Sequence, residues 1–65
     1  MEIDVKALRR AMAAQGFTVK GLAKAAGVSV PALNNWLNNG RKPRIDTLGK
    51  LAKALGCDIY DLAKA

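Results

Sequence analysis

Histidine is absent from these 65 residues, and cysteine occurs once, as Cys57. Without histidine, proton transfer near neutral pH lacks its commonest agent and metal binding its commonest ligand. The lone thiol has no base beside it in sequence and no second cysteine for an intramolecular disulfide. No metal-ligand spacing, glycine-rich phosphate loop or evident carboxylate pair takes their place. The sequence therefore predicts no enzyme, no catalytic residue, no metal, no cofactor and no small-molecule substrate. Apolar runs are only a few residues long, far short of the ~20 that span a bilayer. The N-terminal MEIDVKAL is acidic and lacks a signal-peptide layout. A membrane partner is thereby excluded, and a reducing, cytoplasmic setting is predicted.

Negative charge is the next scarcity. The five acids are Glu2, Asp4, Asp46, Asp58 and Asp61, and none lies between Val5 and Ile45. That stretch holds Lys6, Arg9, Arg10, Lys20, Lys24, Arg41, Lys42 and Arg44. From Asp46 onward, Lys50, Lys53 and Lys64 offset Asp46, Asp58 and Asp61. A net charge of +6 on its own is compatible with a solvated basic surface. Exclusion of acids from one contiguous region instead points to a polyanion, and nucleic acid is the polyanion expected.

What is present is a pattern. Between Phe17 and Leu37 the chain reads FTVKGLAKAAGVSVPALNNWL. Counted from Val19, Leu22 and Ala23 fall fourth and fifth, Gly27 ninth, Val28 tenth, Leu33 fifteenth and Trp36 eighteenth. A small residue lets two helices cross closely, glycine makes the tight turn, and apolar residues hold the second helix on the first. This is the spacing of a helix-turn-helix, placed at about residues 18–38, within one domain covering 1–65.

Start and stop signals divide the chain into five helices, an all-α fold. Helix 1 runs from Asp4 as N-cap to about Gln15, with Val5, Leu8 and Met12 inward. Helix 2 runs from Thr18 to near Ala26. Helix 3 runs from Ser29 to about Asn38, with Pro31 in its first turn. Helix 4 follows Asp46, with Leu48, Leu51, Ala52 and Leu55 inward. Asp58 caps a short helix 5 with Ile59 and Leu62 inward. An apolar residue before an N-cap often packs on the residue five positions later. The pairs Ile3–Leu8, Phe17–Leu22, Val28–Leu33 and Cys57–Leu62 fit; helix 4 breaks the rule, because Ile45 would face Lys50.

Helix 3 carries the specificity. With Leu33 and Trp36 inward, Val30, Pro31, Asn34, Asn35 and Asn38 face out. An asparagine amide pairs with adenine N7 and N6 in the major groove, and Val30 and Pro31 suit a thymine methyl. Three asparagines are also compatible with a solvated helix end, but mid-helix Asn34 and Asn35 cost helix propensity, which favours a role in base contact. Phosphate contacts are expected from Thr18, Lys20 and Ser29 at two helix N-termini, from Asn38, from the basic loop residues Arg41, Lys42 and Arg44, and from Arg10, with Arg9 a weaker candidate. Cys57 reads as a small apolar side chain. Tyr60 is equally consistent with open surface and with a dimer contact.

These residues resemble the lambda-repressor and Cro-like helix-turn-helix family, also called the XRE family. The likeness runs from about Leu8 to Leu62, through FTVKGLAKAAGVS, ALNNW, RKPRIDTLGKLAKALG and DIYDL. The resemblance implies a compact five-helix domain, helix 3 in the major groove of double-stranded DNA, and a homodimer on a roughly palindromic operator. Ile59 and Tyr60 are the dimer candidates. Three departures stand out. Val19 replaces a glutamine common after the helix 2 N-cap. Met12 and Leu37 stand where many members pair arginine with glutamate, so an apolar contact is expected there. Asn39–Gly40 adds one residue to the usual glycine turn.

The function expected is a bacterial or phage-encoded, nucleoid-associated transcriptional regulator. Helix 2 carries no acid, which favours repression by occlusion over contact with polymerase. A second class of function is a protein-interaction module, such as an antitoxin or antirepressor-binding unit with secondary DNA binding; eight cations without an acid weigh against it. A third is a DNA-binding domain from a longer repressor.

Overall fold

Side-chain oxygens begin the first three helices. Asp4 Oδ1 accepts from the Ala7 N–H at 3.2 Å, Thr18 Oγ1 from Gly21 at 2.9 Å, and Ser29 Oγ from Ala32 at 3.2 Å. Each such cap satisfies a backbone donor with no partner inside the helix, worth about 1 kcal/mol. In the computed structural model, which describes residues 3–63, the elements are α1 (Val5–Gln15), α2 (Val19–Ala26), α3 (Val30–Asn38), α4 (Ile45–Leu55) and a single 3-10 turn, Ile59–Asp61. Glu2 and Lys64 of the charge map lie outside the described residues.

Every α-helix contributes to one core. The largest fully buried side chains are Leu8 of α1, Leu22 of α2, Leu33 of α3, Leu48 and Leu51 of α4, and Leu62 after the 3-10 turn. Burying each contributes about 1.5–3 kcal/mol. Ala23 and Ala26 are buried on α2, which packs on both α3 and α4; small side chains permit that close approach. Ile3 is buried, and Phe17, Val28 and Cys57 are half-buried against the core. All four thus sit where the staple pattern places them, each ahead of a fully buried leucine. Met12 and Leu37 are both buried in the same core. Trp36 is half-buried against it. No polar or charged residue is buried among the described residues.

Two expectations are corrected. Helix 4 begins one residue ahead of Asp46: its N-cap is Arg44, which makes no side-chain cap bond, and Asp46 lies in the first turn. There the carboxylate favours the positive end of the helix dipole, and its Oδ1 accepts from the Thr47 N–H at 2.9 Å. With Arg44 as N-cap, the staple positions belong to half-buried Pro43 and to Leu48, 1% exposed, so helix 4 stops being an exception.

The expected helix 5 is only the 3-10 turn. Asp58 and Asp61 close it as a capping box: Asp58 Oδ1 accepts from Tyr60 N–H at 2.9 Å, and Asp61 Oδ2 from Asp58 N–H at 3.0 Å. The backbone beyond it pairs elsewhere. Ile3 and Ala63 form an isolated antiparallel bridge, and Leu62 O accepts from Asp4 N–H at 2.7 Å. A carbonyl and an extended residue committed to the start of α1 do not continue a helix.

Candidate nucleic-acid interface

Three residues separate α2 from α3. Gly27 takes φ +72°, the left-handed region where only glycine sits without strain, and its N–H reaches Ala23 O and Lys24 O. Val28 N–H then donates to Ala23 O at 2.9 Å, and Ser29 caps α3. The two helices are thereby joined at a set angle, with Leu33 and Leu37 of α3 buried. The opposite edge presents Val30, 37% exposed, with Pro31, Asn34 and Asn38, all exposed; Asn35 is half-buried.

The asparagines predicted as a group have different surroundings. Asn34 is exposed, and among the described residues no hydrogen bond involves its side chain. Asn35 is engaged on both sides: its Oδ1 accepts from Asn39 Nδ2 at 2.7 Å, and its carbonyl accepts from Asn39 N–H at 3.0 Å and Arg41 N–H at 3.3 Å. Asn38 Oδ1 accepts from Arg9 Nη2 at 2.8 Å, and the same nitrogen reaches Leu37 O at 3.4 Å. Sequence reasoning missed this link. Arg9 sits one turn before Met12, on the side of α1 that meets α3, a placement readable only once the two helices are packed.

The cations are on the surface. Lys20, Arg10, Arg41, Lys42 and Arg44 are exposed, as are Thr18 and Ser29. Gly40 at φ +70° turns the chain out of α3 into the basic loop, whose Arg41 is tethered to α3 through its backbone N–H. Arg44 Nε lies 3.7 Å from Asp46 Oδ1, with side chains 87% and 65% exposed. A pair so solvated holds Arg44 weakly and leaves it able to exchange its partner for a phosphate. Lys42 also has a partner within the chain. Asn34 is thus exposed on α3 and the basic loop follows the C-terminus of that helix, while Thr18 and Lys20 mark the start of α2.

The remaining predicted residues lie elsewhere. Tyr60 is 72% exposed, Ile59 is half-buried, and Ile45 at the start of α4 is 63% exposed. Partial burial pushes the Cys57 thiol above its ordinary pKa, with Asp61 and then Asp58 adding to the effect. Among the described residues, no helix is long and apolar enough to cross a membrane.

A glycine-turned helix pair, capped at both N-termini and buried along one side of its second helix, defines a helix-turn-helix domain. The chain matches HTH_3, a helix-turn-helix family, over residues 7–62, and it belongs to that family. It is similar to the clp gene regulator ClgR from C. glutamicum: 30% identity, TM-score 0.77, covering 88% of this chain and 74% of that one. It has the fold of an HTH_3 family transcriptional regulator from Vibrio cholerae, at 24% identity and TM-score 0.79, covering 88% of this chain and 32% of that one. It is also similar to part of a hydroxyethylphosphonate dioxygenase, at 28% identity and TM-score 0.84. That likeness covers all of this chain but spans only 14% of the enzyme. No curated protein matches the chain significantly.

Proposed function

We propose that the chain is a sequence-specific, double-stranded DNA-binding transcriptional regulator that represses by occlusion, with α3 in the major groove. One observation carries this reading: the free edge of α3 and the loop that leaves it present an amide and cations with no acid before Asp46. Asn34 reads adenine, Asn35 lies beside it, and Val30 and Pro31 meet thymine methyl groups. Thr18, Lys20, Ser29, Asn38, Arg41, Lys42, Arg44 and Arg10 contact phosphates. The regulator named among its structural relatives supports the reading, and the absence of acids on α2 favours occlusion. The likeness to a dioxygenase covers only 14% of that enzyme, so no activity is carried over from it.

Two copies are proposed to meet on DNA through the region of Ile59 and Tyr60, placing half-sites about one helical turn apart. The setting is a bacterial or phage-infected cytoplasm, at the nucleoid. Selection of bound sites from random DNA tests the reading directly. The expected result is an enriched motif in two symmetry-related half-sites, bound with log K falling linearly against log salt. Failure to enrich any sequence would refute it.

A further inference from the structure

The C-terminus of α3 differs from those of the other helices. Helices α1, α2 and α4 end on left-handed glycines, Gly16, Gly27 and Gly56, whose N–H groups turn back onto two carbonyls. The cap of α3 is Asn39, at φ −114°, and its N–H reaches only Asn35 O. No basic residue lies in the last turn of α3. The end of the helix that faces the proposed DNA site therefore lacks the closure given to the others, and its last carbonyls need donors from outside.

We infer that Arg9 is that donor: a C-terminal cap supplied in trans by α1, which positions α3 and orients Asn38. Arg9 Nη2 contacts both Leu37 O, at 3.4 Å, and Asn38 Oδ1, at 2.8 Å. The guanidinium places positive charge at the negative end of the α3 dipole. The one nitrogen, with its two protons, serves a backbone and a side-chain acceptor. Binding Oδ1 settles which way the Asn38 amide is turned and leaves its Nδ2 protons for an acceptor beyond the protein. Arg9 thus acts through α3 and Asn38, as a positioning residue, and makes no phosphate contact of its own. Met12 and Leu37, in the core one turn away, supply the apolar part of the α1–α3 contact and Arg9 the polar part.

The first test needs no DNA, so it stands or falls independently of the proposed function. Urea unfolding of Arg9→Ala, Asn38→Ala and the double variant should show coupling: each single change lowers the folding constant about two- to fivefold, and the second change adds little to the first. Arg9→Lys should recover only part of the loss, since the lysine nitrogen ends a side chain one bond shorter and holds no fixed planar orientation. Additive losses would overturn the pairing. The second test rests on the DNA-binding reading and uses the selected site. Arg9→Ala should lower the ratio of specific to non-specific affinity severalfold while leaving the salt slope unchanged. A slope reduced by about one would make Arg9 a phosphate ligand and overturn the positioning role. An unchanged ratio with coupled unfolding would reduce it to a stabilising contact alone and overturn its role in recognition.

Discussion

Replacing Gly27 or Gly49 by alanine is the same chemical change with opposite expected consequences. A Cβ at either position would meet nothing within 4 Å, so packing contributes little to either result. Backbone conformation decides. Gly27 sits at φ +72°, where an L-residue costs about 1–2 kcal/mol; the lower entropy of an unfolded chain carrying alanine offsets about 0.4–1 kcal/mol of that. A net loss of roughly 0.5–1 kcal/mol is expected. Gly49 lies inside α4 without positive φ, and alanine there should gain about 0.5–1 kcal/mol. For a domain this small each kcal/mol moves Tm by about 4–8 °C. Thermal unfolding followed by circular dichroism should therefore place Gly27→Ala below the parent and Gly49→Ala above it. Gly21 supplies a control: its Cβ would lie 3.1 Å from the Thr18 cap oxygen, which should cancel most of the helix-propensity gain. Shifts of the same sign for Gly27→Ala and Gly49→Ala would refute the argument that conformation, with packing constant, sets stability at these sites.

Other outcomes follow from the interface. Asn34→Ala should cost about 1–3 kcal/mol on the selected site and relax preference at one base pair; equal weakening on every sequence, measured by fluorescence anisotropy, would remove Asn34 from base reading. Arg41→Ala should lower the salt slope by about one, and an unaltered slope would show that Arg41 neutralises no phosphate. For Cys57, a thiol pKa raised in the folded state means that the fold binds that proton more tightly than the unfolded chain does. Any stability from this source is complete below the ordinary thiol pKa and declines as pH rises towards the raised folded value. Alkylation of the native protein by iodoacetamide should accordingly show a midpoint above that of the urea-unfolded chain; coincident midpoints would contradict the effect of burial and of Asp61 and Asp58.

Helices α1, α2 and α3 were legible because their signals are short-range. A cap bond joins residues three apart, a staple joins residues five apart, and apolar periodicity needs only a turn or two of neighbours. Asp4, Thr18 and Ser29 therefore cap where sequence places them, and Leu8, Leu22 and Leu33 are buried as their phase requires. The start of helix 4 was misplaced because Asp46 has the composition of an N-cap and works equally well inside the first turn. The first turn closes on Arg44 instead, whose carbonyl accepts from Leu48 N–H at 2.8 Å. The candidate site was partly legible: outward-facing Asn34 and the acid-free basic loop follow from phase and composition, but the internal partners of Asn35 and Asn38 do not.

By itself the sequence determined the phases of the first three helices, the glycine turn between α2 and α3 and the concentration of positive charge around them, since each depends on residues close together in the chain. Tertiary structure decided the rest. The pairing of Ile3 with Ala63 stops the last helix after one turn, and the packing of α1 on α3 brings Arg9 to Asn38, 29 residues away. Such contacts arise only when separate helices bury their apolar faces together, because the shared core then sets which backbone and side-chain groups come within hydrogen-bonding reach.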